Sequence, residues 1–242
     1  MDTFALFFLL LIAEVLGTIG GFGSSMLVMP IAGLLLPFDQ ALGLTAVLHV
    51  FSNAAKMLLF RQAVSKRLLL TLGLPAIVGV LVGARLTYYL DESALALSLG
   101  LLLVLLSAFL LVKRSWKLRP TDRNAVLGGL VSGSIAGISG TGGAIRGITL
   151  AAFDLEKLVF VSTSAWIDMG VDLSRTVVYA AQGYVTSDVL NHLPVLAAAS
   201  FAGTWIGRRL LKRIPQERFR VLVLSLVMAM GIVSVVQALT AQ

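Results

Sequence analysis

Two glycine clusters interrupt the two longest apolar stretches of this sequence, and they limit the fold more than any other feature. They read Gly17-Thr18-Ile19-Gly20-Gly21-Phe22-Gly23-Ser24-Ser25, within about residues 4–36, and Gly137-Ile138-Ser139-Gly140-Thr141-Gly142-Gly143, within about 124–152. A glycine inside a helix costs about 1 kcal/mol relative to alanine, so neither stretch reads as one continuous helix. Gly17, Gly20 and Gly23 fall on Gly137, Gly140 and Gly143 at a constant offset of 120. Further landmarks repeat in the same order. Phe38-Asp39 matches Phe153-Asp154, Asn53 matches Asp168, and Gly79-x3-Gly83-x-Arg85 matches Gly203-x3-Gly207-x-Arg209. The chain is therefore read as a tandem duplication of about 120 residues, the arrangement in which paired broken helices mark a transport site.

Six further segments, roughly 41–60, 67–88, 94–112, 157–180, 188–207 and 220–239, reach the length of about 20 apolar residues that a crossing of the hydrocarbon core needs. Composition agrees, with 58% hydrophobic and 13% charged residues where a soluble domain carries about 25% charged. The N-terminal stretch begins with Asp2 and has no basic n-region or small-residue cleavage site, so it is read as part of the membrane domain. With no cysteine and two histidines, disulfides, thiolate metal sites and Cys nucleophiles are excluded, and no metal or other cofactor is expected.

The formal charge of +7 is read as topology, with no role for nucleic acid. Fourteen of the nineteen Lys and Arg residues lie in three loops, at 61–67, 113–123 and 208–220, and the positive-inside rule puts all three in the cytoplasm. The basic loop follows the second apolar element of the first half, whereas the equivalent loop of the second half, 182–187, has no basic residue. That shift implies halves of opposite orientation with an odd number of crossings each. The reading is an all-α polytopic membrane protein of two inverted-topology repeats, each a glycine-broken, re-entrant hairpin plus three transmembrane helices. Repeat 1 spans 1–113, a cytoplasmic linker 114–123 and repeat 2 124–242, in one membrane domain with both termini outside. Asp2, Asp39, Asp91, Glu92 and Asp188 then face outward. The alternative lets each broken segment cross, giving eight spans.

Two helix starts facing each other across such breaks form a midplane anion site, because uncapped N–H groups and the helix dipole both favour negative charge. Gly20, Gly21, Gly23, Gly140, Gly142 and Gly143 supply backbone donors there, and Ser24, Ser25, Ser139 and Thr141 supply hydroxyls; the alternative role for the glycines is close helix packing. Arg146, three residues past the second cluster, suits an oxyanion that its planar fork grips; otherwise it snorkels to the cytoplasmic face. Asp168 lies about 11 residues into its helix, or about 16 Å deep, and Asn53 has a similar depth. Asp168, Asp172 and Arg175 share one helix face. Asp168 is read as the carrier of a coupling proton, or as the partner of Arg146 when no substrate is bound, or as part of a structural ion cluster with Asp172 and Arg175. Glu14 is a second candidate for proton coupling. Lys56 is read as a snorkelling, structural cation near its helix end, and Phe22 and Trp166 as residues that line a cavity or pack.

The motif G-x-x-G-G-x-G followed by an apolar run and Pro30, together with the paired G-x3-G-A-R-type helix ends, resembles the TauE/SafE family of sulfite and organosulfonate exporters over nearly the whole chain. The resemblance implies a multi-pass transporter of the bacterial cell membrane handling sulfite, sulfoacetate or a related anion. The second repeat departs from the pattern, with Thr149-Leu150 where a proline is expected and Arg146 within the arm. Two other classes are weighed against it. A rhomboid-like intramembrane serine protease would use Ser139 with His192, in a chain that also offers His49-x3-Asn53; a scaffold needs neither the paired breaks nor Arg146. Gly100 and the small-residue helix faces allow a homodimer.

Overall fold

The computed structural model describes residues 3–20, 24–60, 63–113, 118–211 and 216–240, and among these residues every regular element is helical. Helices α1 (Thr3–Gly20) and α2 (Ser25–Leu35) flank the first glycine cluster, and α3 (Phe38–Leu59) follows. Then α4 (Lys66–Leu68) passes through one π-helical turn, Leu69–Gly73, into α5 (Leu74–Leu86), forming with a final 3-10 turn one 24-residue rod, Lys66–Tyr89. Helix α6 (Glu92–Val112) completes the first half. The second half contains α7 (Asp122–Ser139), α8 (Gly143–Ala151), α9 (Lys157–Ala181), the short α10 (Ser187–Asn191), α11 (Leu193–Leu211) and α12 (Gln216–Thr240).

Among the described residues, Phe38–Leu59, Lys66–Tyr89 and Ser93–Val112 are long and apolar enough to cross a membrane. Their surfaces carry the expected stripes. Leu70, Leu74, Val78, Val82 and Leu86 are exposed on one face of the rod, while Leu72, Ala76, Val80 and Ala84 on its other face are buried. Such a rod, apolar outside and in, is stable only where lipid replaces water on the outer face.

Glycine seams bind the helices in matching pairs. A Cβ on Gly79 or Gly83 of α5 would collide with the backbone of Leu130 or Ser134 on α7, and one on Gly129, Gly133 or Gly137 would collide with the backbone of α4–α5. Rising numbers meet rising numbers, so α5 and α7 lie side by side in the same direction. Helices α1 and α11 do likewise, with Gly203 against Leu11 and Glu14 and Gly207 against Val15 and Thr18. Helix α3 runs antiparallel to α9, since Gly43 meets Tyr184, Asn53 bonds Asp172 and Ser162 bonds the Phe60 carbonyl. Helix α8 turns back along α7, bringing Gly142 to Ser132 and Thr149 to Gly128. The start of α7 is tied to α4 by the Arg67–Asp122 pair, and α9, near its start, to the residue just before α4 by the bond from Ser65 N–H to Thr163 Oγ1.

Several sequence expectations change. The segment expected at 188–207 is two helices, α10 and α11, because Pro194 has no N–H to continue the turn. Helix α7 begins at Asp122, inside the expected 114–123 linker, because the Thr121 side chain accepts from Asn124 N–H and starts the helix there. Gly100 packs against Gly231 and Val235 of α12, so the small face read as a dimer contact is filled within the chain. Trp166 is half exposed on α9 and is not part of the wall of the cavity at the glycine clusters. Gly21, Phe22 and Gly23 lie outside the described residues, and Gly20 ends α1.

Candidate functional site

The two glycine clusters meet: Thr141 Oγ1, at the second, donates to Ser25 Oγ, at the first, over 3.3 Å. Both helices that leave the clusters, α2 and α8, therefore start in the same buried place. Neither start has a side-chain cap, whereas α4, α7 and α10 are capped by Ser65, Thr121 and Thr186. Ser24 stands in the capping position of α2, but its hydroxyl is turned away to Glu14 Oε1 at 2.5 Å. Uncapped N–H groups at a buried helix start demand another partner.

The glycines divide by role. Gly140 ends α7 with φ +71°, a left-handed conformation that favours glycine. Gly17, Gly137 and Gly142 each lie against backbone that a Cβ would overlap, so these three serve close packing, as the alternative reading held. Gly140, Gly142 and Gly143 also line a small cavity together with Ser24 and Ser25, while Ser139 and Thr141 stand outside its wall.

Side chains from three helices close that cavity. From α3 come His49, Asn53 and Lys56, from α8 Arg146, and from α9 Asp168, Asp172 and Arg175. The space left holds little more than a water molecule. Arg146 is buried and ion-paired with Asp168, whose Oδ2 also accepts from Ser164 at 3.0 Å. Among the described residues its Nη1 has no hydrogen-bond partner. Arg146 does not snorkel, because helical Cβ atoms tilt toward the N-terminus, which on α8 is the glycine cluster. Lys56 departs from its expected place for the same reason. It points back along α3 to the cavity, is buried, and among the described residues forms no ion pair.

Arg175 is satisfied on every side. Its Nε donates to Asp172 Oδ1 at 2.7 Å, Nη1 to the Gly140 carbonyl at 2.9 Å, and Nη2 to His49 Nδ1 at 2.9 Å. Asp172 accepts a second bond from Asn53 Nδ2 at 2.6 Å. The anticipated cluster of Asp168, Asp172 and Arg175 is thus split: Asp172 and Arg175 form one pair, and Asp168 pairs across helices with Arg146. The Tyr179 hydroxyl donates to the Gly137 carbonyl at 2.5 Å, so α9 receives the open carbonyls at the end of α7.

Glu14 is buried behind Ser24 and accepts from Ser52 Oγ at 2.6 Å as well. Sequence reading missed Ser52, and took His49 only as part of a protease pattern. The signal was present, since His49, Ser52, Asn53 and Lys56 form a polar stripe at i, i+3, i+4 and i+7 in the apolar second half of α3. Ser139 and His192, the dyad of the protease alternative, form no hydrogen bond, and His192 Nδ1 lies 2.6 Å from the Asp188 carbonyl of its own turn.

No curated protein and no solved structure matches the chain. The family model for the sulfite exporter TauE/SafE matches residues 6–234 of 242. With nearly its whole length inside that match, and with apolar helices of membrane-crossing length, the chain belongs to the TauE/SafE sulfite exporter family.

Proposed function

We propose that the protein is a secondary-active exporter of a small sulfur-containing oxyanion such as sulfite or sulfoacetate, bound where the starts of α2 and α8 meet. One observation carries the reading. Arg146 is buried, its Nη1 has no hydrogen-bond partner among the described residues, and it faces two uncapped helix starts across a cavity little larger than a water molecule. An oxyanion answers all of these at once, with several oxygens for the N–H groups, the Ser25 hydroxyl and the guanidinium fork. Lys56, without a carboxylate of its own, adds attraction. Asp168 is paired with Arg146 through Nε, so an arriving anion competes with a carboxylate. Asp168, once displaced, is suited to take up a proton, which supports proton coupling.

The helix directions support inverted repeats. The α1–α11 and α5–α7 seams are counterparts under the duplication, and α3 and α9, also counterparts, run antiparallel. Helix α8 turns back toward the end where α7 starts, which supports a re-entrant hairpin entered from the cytoplasm in a bacterial inner-membrane protein, with α1–α2 its mirror from outside. The native chain has no cysteine, so single cysteines report sidedness directly. Asp122→Cys and Glu156→Cys are expected to react with an impermeant thiol reagent from the cytoplasmic side, and Asp91→Cys and Asp188→Cys from the outside. Labelling of Asp122→Cys and Glu156→Cys from opposite sides excludes the hairpin.

The test of function is flux of labelled sulfite and sulfoacetate in proteoliposomes, with and without a pH gradient. Saturable flux that responds to the gradient is the expected result. Absence of saturable flux for both anions overturns the reading.

A further inference from the structure

Glu14 is fully buried, and each carboxylate oxygen accepts one serine hydroxyl, Oε1 from Ser24 and Oε2 from Ser52. Ser24 Oγ also lies 3.0 Å from His49 Nε2, and His49 Nδ1 lies 2.9 Å from Arg175 Nη2. A guanidinium has donors only, so Nδ1 accepts and the neutral ring carries its hydrogen on Nε2. That hydrogen goes to Ser24 Oγ, and the hydrogen of Ser24 goes to Glu14. The bonds run in one direction, from Arg175 through His49 and Ser24 to Glu14.

The charged and titratable groups near Glu14 are His49 and Lys56 on α3 and Asp172 on α9, among the described residues. Helix α11 meets its Cβ with Gly203, and α12, also packed on α1, carries no titratable residue after Arg220. Glu14 is therefore linked to the cavity through hydroxyls and one imidazole, with Ser24 standing in the cavity wall.

We infer that Ser24 and His49 couple proton uptake at Glu14 to anion binding between the helix breaks, an inference that rests on the anion-site reading above. A proton added from solvent at Glu14 Oε1 makes that oxygen a donor to Ser24 Oγ, and the hydrogen of Ser24 loses its acceptor. His49 Nε2 cannot receive it, because Arg175 holds Nδ1 as the acceptor and so keeps the ring hydrogen on Nε2. The Ser24 hydrogen then turns into the cavity. One protonation thus gives the site a new donor and removes a negative charge behind it, so proton and anion favour each other's binding. His49 is a positioning residue in this scheme, acting through Ser24.

The test is equilibrium binding of sulfite, sulfate, sulfoacetate and ethanesulfonate to the purified full chain in nanodiscs, between about pH 5 and pH 8. The slope is read on sulfate or ethanesulfonate, whose charge is constant over that range. Wild-type affinity is expected to rise about tenfold toward the acid end, the effect of one hydrogen bond to a charged group. Glu14→Gln and Ser24→Ala are expected to lose this tenfold rise, a smaller slope being left to Asp168. His49→Leu loses most of the slope, and His49→Gln, which keeps a donor near the Nε2 position, retains it. A flat wild-type profile overturns the coupling. So does a full rise that survives both Ser24→Ala and His49→Leu, or one lost in Asp168→Asn and kept in Glu14→Gln. A wild-type protein that binds none of the four anions overturns the anion site itself.

Discussion

Replacing Arg146 with alanine is expected to lower saturable anion flux by about 100-fold, the loss of two charge-assisted hydrogen bonds to a buried ligand. The alternatives at this position differ in what they remove. Arg146→Lys keeps the charge but not the planar fork, so it is expected to fall between wild type and alanine, chiefly through a raised KM. Arg146→Ala also strands the buried Asp168, now supported by Ser164 alone. The double variant Arg146→Ala/Asp168→Asn removes that stranded charge. It is expected to regain folded yield without regaining flux, which separates a binding loss from a folding loss. Flux and KM at wild-type levels in folded Arg146→Ala would falsify the placement of substrate at this guanidinium.

The helices were legible in the sequence because the bilayer fixes their length and because glycine clusters break an apolar run wherever they occur. The expected span 94–112 lies inside α6, 92–112, and the expected span 67–88 lies inside the rod 66–89. The polar stripe on α3 was equally present in the sequence. Its meaning was not, because His49 and Asn53 bond Arg175 and Asp172, each more than 100 residues away. The pairing of each carboxylate with each guanidinium depends on the relative heights of α3, α8 and α9, which helix seams set and local spacing does not. Distance along the chain alone left Arg146 open between an anion ligand and a snorkelling residue, and misjudged Lys56 as snorkelling. The tilt of helical side chains toward the N-terminus sends both to the interior. The glycines show the converse limit, since packing and conformational demands look identical in sequence. Only the backbone separates Gly140, at φ +71°, from Gly137, pressed against α5.

Arg175→Met is expected to destabilise the folded protein by about 3–5 kcal/mol, the cost of stripping a buried charge of its partner. The substitution keeps much of the side-chain volume, so the loss is one of bonds. Asp172 keeps only Asn53, the Gly140 carbonyl loses its donor, and His49 Nδ1 is released. Three elements are tied by this one guanidinium: α3 through His49, the end of α7 through Gly140, and α9 itself. The expected readout is a fall of about 10 °C in the apparent midpoint of thermal unfolding in detergent, from the usual shift of about 2–4 °C per kcal/mol for a chain of this size. Arg175→Met/Asp172→Leu removes both charges and is expected to recover part of that fall, as paired apolar replacement of buried ion pairs does. The Arg146–Asp168 pair sits beside this post in the same cavity. If Arg175 fixes the second break while Arg146 exchanges its carboxylate for substrate, Arg175→Met shifts the midpoint further than Arg146→Met does. Equal midpoints in the two variants would remove the distinction between a fixed cation and an exchanging one.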